Sequence, residues 1–272
     1  MKIKNQNFNG YSEEHLEFLR KRKSTLFKIK FLQIGILVIS IILWETLAKF
    51  DIIDSFIVSS PSRIIKTIFG LYSTGQLWNN LLFTVIETTA GFILGTILGM
   101  LIATLIWWST FILKVSEPYL VVLNALPKVA LGPIIIVWMG AGVGSIILMA
   151  LMVSVVISIM NILSGFENVN REKIILMKSF GATKMQIFKK LVLPSNISTI
   201  ISTLKINVGM SLIGVITGEF LVSANGIGYL IVYGGQVFKM DLVMAGVFVL
   251  AVLAWGMYAC VSGLEHKYSN KS

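Results

Sequence analysis

The side chains most capable of chemistry in this sequence are a basic run past its middle and a few charges set in apolar stretches. Residues 171–194, REKIILMKSFGATKMQIFKKLVLP, carry six Lys/Arg (Arg171, Lys173, Lys178, Lys184, Lys189, Lys190) around Gly181 and end on Leu193-Pro194. Glu87, Lys128, Lys205 and Glu219 fall within or beside apolar runs. These do not form a catalytic constellation. The sequence offers no paired carboxylates, no Ser-His arrangement, no metal-ligand spacing and no G-x-x-x-x-G-K-[ST] phosphate loop. Its one cysteine, Cys260, lies in an apolar run and excludes an intrachain disulfide, and His15 and His266 near opposite ends are expected to do no chemistry. What remains is electrostatic and mechanical: a charged segment that must stay outside a bilayer, and carboxylates that must face protein rather than lipid.

The elements that position these groups are membrane spans. Hydrophobic residues make up 56% and charged residues 13% of the 272, and mean hydropathy is +0.84, well outside the range of soluble domains. The chain has room for about six spans of about 20 residues each. We read them at about 31–50, 81–106, 117–139, 145–164, 196–219 and 242–262. Residues 129–166 hold no charge, too long for a single span, and Gly140-Ala-Gly-Val-Gly144 supplies the break. A polar leader, residues 1–30, reads as an interfacial helix capped by Ser12, with Lys21, Arg22 and Lys23 for anionic headgroups. Residues 31–264 are expected to form the transmembrane domain and 265–272 a short tail.

Charge sets the orientation. With both termini in the cytoplasm, inner segments hold seventeen Lys/Arg and outer segments four (Lys49, Arg63, Lys66, Lys239). The net charge of +10 is thus a topology signal, with no nucleic acid implied. Residues 171–190 then form a cytoplasmic platform between spans four and five.

Within the spans, Gly91, Gly95 and Gly99 mark a face where another helix approaches closely, and Gly209, Gly214 and Gly218 do so less regularly. This face serves either tight packing or sliding. Pro127 and Pro133 remove backbone donors in the third span, which favours placing it beside a pathway with Asn124 and Lys128 facing it, although Lys128 can equally snorkel to headgroups. Glu219, ahead of Gly226-Ile-Gly228, serves either as an outer gate or as a fixed hydrogen bond holding that turn. Glu87 is expected to face the bundle.

Gly181-Ala182, then Phe188 and Leu193-Pro194, resemble the cytoplasmic EAA loop of membrane-spanning subunits of binding-protein-dependent ABC importers. Three further blocks in the same order resemble the nitrate/sulfonate/taurine-type subgroup: Ser60-Pro61-Ser62-Arg63; Asn124-Ala-Leu-Pro-Lys-Val-Ala-Leu-Gly-Pro133 with Trp138-Met-Gly-Ala-Gly142; and Gly218-Glu-Phe-Leu-Val-Ser-Ala-Asn-Gly-Ile-Gly-Tyr229. The resemblance covers residues 59–263, with an importer core over about 81–263. The sequence departs from the loop pattern at Ile175-Leu-Met177, where the family carries an acid and two alanines; Glu172 lies three residues earlier.

The resemblance implies an all-α permease subunit without enzymatic activity, with ATP and Mg bound on a separate ATP-binding subunit. It also implies a solute-binding protein outside and a homodimer in the bilayer. Residues 173–185 would enter a groove of the ATPase, with Phe180, Ala182 and Met185 as apolar contacts and Lys178 and Lys184 pairing with acids at its rim. Gly181 would turn the chain between two helices, and Pro194 would open the fifth span. Glu87, Asn124, Pro127, Lys128, Pro133, Glu219, Gly226 and Gly228 are the pathway or gate candidates. The implied solute is a small anion such as nitrate, a sulfonate or taurine. A vitamin precursor or amino acid is the alternative within the family, and an autonomous secondary carrier the alternative outside it.

Overall fold

The computed structural model describes residues 13–269, with side chains described for 21, 22 and 24–263. Every regular element among the described residues is a helix. The chain forms two compact units that divide between Arg63 and Ile64.

The first unit holds α1 (Glu13–Lys49), α2 (Ser55–Val58) and the start of α3 (Pro61–Ser73). No proline interrupts residues 13–49, so the leader and the first span form one continuous helix rather than a separate surface helix. The proposed Ser12 cap lies outside the described residues. Glu45 closes the next helix start. Its two oxygens accept from Ser62 Oγ at 2.7 Å and from the Ser62 amide at 3.0 Å, while Pro61 at the first helical position has no amide to satisfy.

The second unit continues through α4 (Gln76–Trp107), α5 (Thr110–Ala125), α6 (Gly132–Met139), α7 (Val143–Glu167), α8 (Arg171–Ser179), α9 (Lys184–Ile187), α10 (Leu193–Ser195), α11 (Ile197–Val222), α12 (Ile227–Gln236) and α13 (Met240–Ser269). Among the described residues, five helices are long and apolar enough to cross a membrane: Ser24–Lys49, α4, α7, α11 and Met240–Gly263. In place of the single third span expected over 117–139 stands a bent pair, which makes a sixth crossing where the two arms count as one span. Here α5 and the segment Lys128–Met139 meet at 83°. Proline explains the break: Leu126 is forced extended (φ −61°, ψ 135°) by Pro127, and Pro133 sits in the first turn of α6, where its missing donor is harmless. The glycine turn over residues 140–142 then starts α7.

The three-helix packing of α4, α7 and α11 forms the centre of this unit. Gly91, Gly95 and Gly99 lie against Ala150, Ser154 and Ser158 of α7, so closely that an added Cβ would overlap each of them. On the other side of Ala150, Gly214 of α11 makes the same approach, and Gly218 lies against Ile146. Without an aqueous hydrophobic drive between spans, such close backbone contact supplies the association energy. The glycine face expected in α4 is therefore a packing seam. Gly209 has nothing within 4 Å of its Cβ position, so the corresponding face of α11 is shorter than its sequence pattern.

Candidate functional site

The basic segment folds as a two-helix platform between α7 and α11. Asn170 starts it, its Oδ1 accepting from the amides of Glu172 at 2.8 Å and Lys173 at 3.4 Å. Gly181, at φ +76°, ends α8. The Ala182 amide donates to Met177 O at 3.0 Å and the Gly181 amide to Lys178 O at 2.9 Å, the bond pattern of a left-handed glycine stop. Thr183 and Gln186 then cap α9 reciprocally. Every bend in the platform thus has a local sequence cause.

Its two faces differ. Ile174, Met177, Ala182, Phe188 and Leu191 pack on a core that includes Ile106, Ile162, Phe166, Ile187 and Val192. Ile175, Leu176 and Met185 are exposed, and Phe180 is 81% exposed. Ala182 therefore faces its own chain, whereas Phe180 and Met185 remain outward. A π-helical turn over Phe188–Val192 links α9 to α10, and Pro194, exposed, lies in α10 just ahead of α11.

Aromatic rings brace the platform. Phe188 lies 5.2 Å from Trp107 and 5.6 Å from Phe166, centroid to centroid, and Trp108 packs on Phe188 as well. Lys184 Nζ donates to the Trp108 carbonyl and sits 5.5 and 5.8 Å from the rings of Trp107 and Trp108. Its ammonium is thus held by its own chain, against the expectation that it reaches for acids on a partner. Lys173 and Lys178 remain exposed.

The carboxylates corrected the sequence reading more deeply. Glu87 and Glu219, 2% and 1% exposed, lie beside each other, where no paired carboxylates were expected. The pairing crosses from α4 to α11, and no spacing along the chain reports a cross-helix contact. Glu219 is already an acceptor: Thr84 Oγ1 donates to its Oε1 at 2.6 Å and the Gly228 amide to its Oε2 at 2.5 Å.

The same side chains complete the start of α12. The Gly226 amide donates to Asn80 Oδ1 at 2.8 Å, and the Ile227 amide to Thr84 Oγ1 at 2.9 Å. Three amides left without intrahelical partners at this N-terminus are thereby satisfied from α4 and α11. Gly226 (φ +107°) and Gly228 both lie where an added Cβ would overlap the Glu219 carboxyl. The hydrogen bond that holds the turn, one of the two roles considered for Glu219, is formed.

Halfway along α11, Asn207 Nδ2 donates to Thr96 Oγ1 of α4 at 2.8 Å and to Ser158 Oγ of α7 at 2.5 Å. Asn207, Asn80, Thr84, Thr96 and Ser158 were not singled out from sequence. The available signal was the recurrence of polar residues at helical spacing in α4 (80, 84, 88, 96). The third-span candidates stay apart from this network. Asn124, Pro127 and Pro133 are exposed, and Lys128 Nζ donates to Asn124 O at 3.0 Å. Lys205 lies over the Tyr258 ring, 5.8 Å from its centroid.

A family model described as "Binding-protein-dependent transport system inner membrane component" matches residues 95–268. The chain is 28% identical to the formylaminopyrimidine transport permease protein ThiX of Halalkalibacterium halodurans, over 83% of this chain and 89% of that protein. It is 26% identical to the putative aliphatic sulfonates transport permease protein SsuC of Bacillus subtilis, over 84% and 82% respectively. Among solved structures, a bacterial ABC transporter involved in the import of the acidic polysaccharide alginate superposes with a TM-score of 0.63, covering 90% of this chain and 99% of that chain at 15% identity. At that identity the likeness establishes a shared fold.

Proposed function

The chain belongs to the inner-membrane component family of binding-protein-dependent transport systems, and from that premise we propose that it forms the translocation pathway of an ATP-driven importer for a small anion. It is a multi-pass membrane protein and a transport subunit. ATP and Mg bind a separate ATP-binding subunit, and a solute-binding protein delivers the solute from outside. Two copies of the chain form the pathway, both termini are cytoplasmic, and α8 faces the ATPase.

The observation that carries this reading is the platform. A short basic helix with Phe180 at its exposed tip is clamped on its other face to the ends of α4 and α7. A surface helix lying on lipid needs no such clamp, whereas a lever does. Closure of two ATPase subunits would draw two such platforms together and turn the pathway outward; hydrolysis would let it return. The coupling contacts would be Phe180, Met185 and Lys178, with Glu172 and Lys173 at the start of α8 and Gly181 fixing the angle.

The sulfonate relative favours an anionic solute, and the formylaminopyrimidine relative favours a vitamin precursor as the second reading. Proteoliposomes containing this chain and its ATPase, supplied with the binding protein, separate them. ATP-dependent uptake of radiolabelled taurine supports the anion. Uptake of formylaminopyrimidine without taurine uptake supports the second. Solute movement without the ATPase contradicts both.

A further inference from the structure

We propose that the cleft at the α8 end of α7 and α11 is a binding site for a small oxyanion that ties the platform to these spans. The inference rests on the importer reading for its orientation, which places the cleft on the cytoplasmic side.

The cleft has a volume of about 570 Å³, within the range of small-molecule sites. Its wall is built from three separate elements. Asn168 and Ser164 come from the end of α7, Lys173 from α8, and Asn196, Thr199 and Ser202 from α10–α11 and the turn between them. Nine of the thirteen lining residues carry an amide or a hydroxyl, Lys173 is the single ionised group, and no carboxylate lines the cleft. Hydroxyl and amide donors around one ammonium suit a sulfonate, phosphate or carboxylate head. Two helices, α8 and α11, begin at this wall, and α7 and the three-residue α10 end there.

The floor is held in place. Asn196 is 4% exposed and its Nδ2 donates to Val192 O at 2.8 Å. Gly165 allows the approach: an added Cβ there would stand 2.5 Å from Asn196 Oδ1 and 2.9 Å from Thr199 Cγ2. Lys173 makes no ion pair among the described residues, and it sits on the same helix as Phe180. An oxyanion held by Lys173 and by Thr199 or Ser202 bridges α8 to α11. Occupancy then resists movement of the platform, so accumulated internal anion slows the transport cycle. Either the head of an imported solute or an anionic lipid headgroup supplies this chemistry.

The test uses the full chain assembled with its ATPase in phosphatidylcholine nanodiscs, with trifluoromethanesulfonate as probe and ¹⁹F NMR as readout. Saturable broadening is expected, with Lys173→Gln weakening apparent affinity about tenfold, as for loss of one charge-assisted hydrogen bond. Ser202→Ala should weaken it about threefold. Both positions are exposed, so neither change threatens folding, and Lys173→Arg should retain binding. If phosphatidylglycerol in the disc displaces the probe, the site takes headgroup oxyanions too; if not, the dissolved anion is its ligand. No probe binding in phosphatidylcholine, or binding unchanged by Lys173→Gln and Ser202→Ala, overturns the site. ATP-driven uptake by the same complex in proteoliposomes reads the importer assignment separately, because it persists when the site fails and vanishes when the assignment fails.

Discussion

The Glu219 carboxyl and the Gly228 amide, nine residues apart, meet at 2.5 Å across the turn that ends α11 and begins α12. The contact ties the start of a ten-residue helix to the centre of the α4–α7–α11 packing. It also leaves no room for a side chain at Gly228, where an added Cβ would stand 2.6 Å from Glu219 Oε2.

Gly228→Ala is therefore expected to destabilise the chain by about 1–3 kcal/mol, the usual cost of overpacking a buried site. Thermal unfolding of the detergent-purified protein checks this. Gly235→Ala on the same helix is the control, because nothing lies within 4 Å of its Cβ position, and its unfolding temperature should stay near the wild-type value.

Asn207 links three spans through Thr96 and Ser158. Intramembrane hydrogen bonds of this kind are worth about 0.6–1.7 kcal/mol in double-mutant cycles. A cycle of Asn207→Leu with Thr96→Val should give a coupling energy in that range. A value near zero would mean that Thr96 does not share the Asn207 bond.

Phe188 joins the π-helical turn to Trp107, Trp108 and Phe166. Phe188→Ala should cost about 2 kcal/mol or more in stability and lower the solute moved per ATP hydrolysed, because the brace between platform and α4 is cut. Lys184→Gln removes its ammonium from the Trp107 and Trp108 rings and should cost about 1 kcal/mol or less. Coupled ATPase and uptake assays separate loss of coupling from loss of fold.

What could be read from sequence follows from what is local. The five spans other than the third, the glycine seam of α4 and the platform with Gly181 at its bend depend on periodicity, charge or a residue's own backbone, and each appears where its residues predict. The proline pair in the third span was visible, but its 83° bend was not, because proline marks a break without setting its angle. The Glu87–Glu219 pair, the capping of α12 by Asn80 and Thr84, and the retraction of Lys184 onto Trp108 all join distant parts of the chain. These contacts depend on which helices pack together, and one sequence does not encode that in its spacing.

The most direct test of the lever is ATP-driven uptake by the chain assembled with its ATPase, comparing wild type with Gly181→Pro and Phe180→Ser. Proline cannot adopt the φ of +76° at Gly181, and Phe180 is the most exposed side chain of the platform's tip. The account expects Phe180→Ser to retain the unfolding temperature of the isolated chain within a few degrees and Gly181→Pro to lower it as the bend is lost, while copurification or coupled uptake collapses in both. Full ATP-driven uptake in both variants, or solute transport by the wild-type chain with no ATPase present, would contradict it.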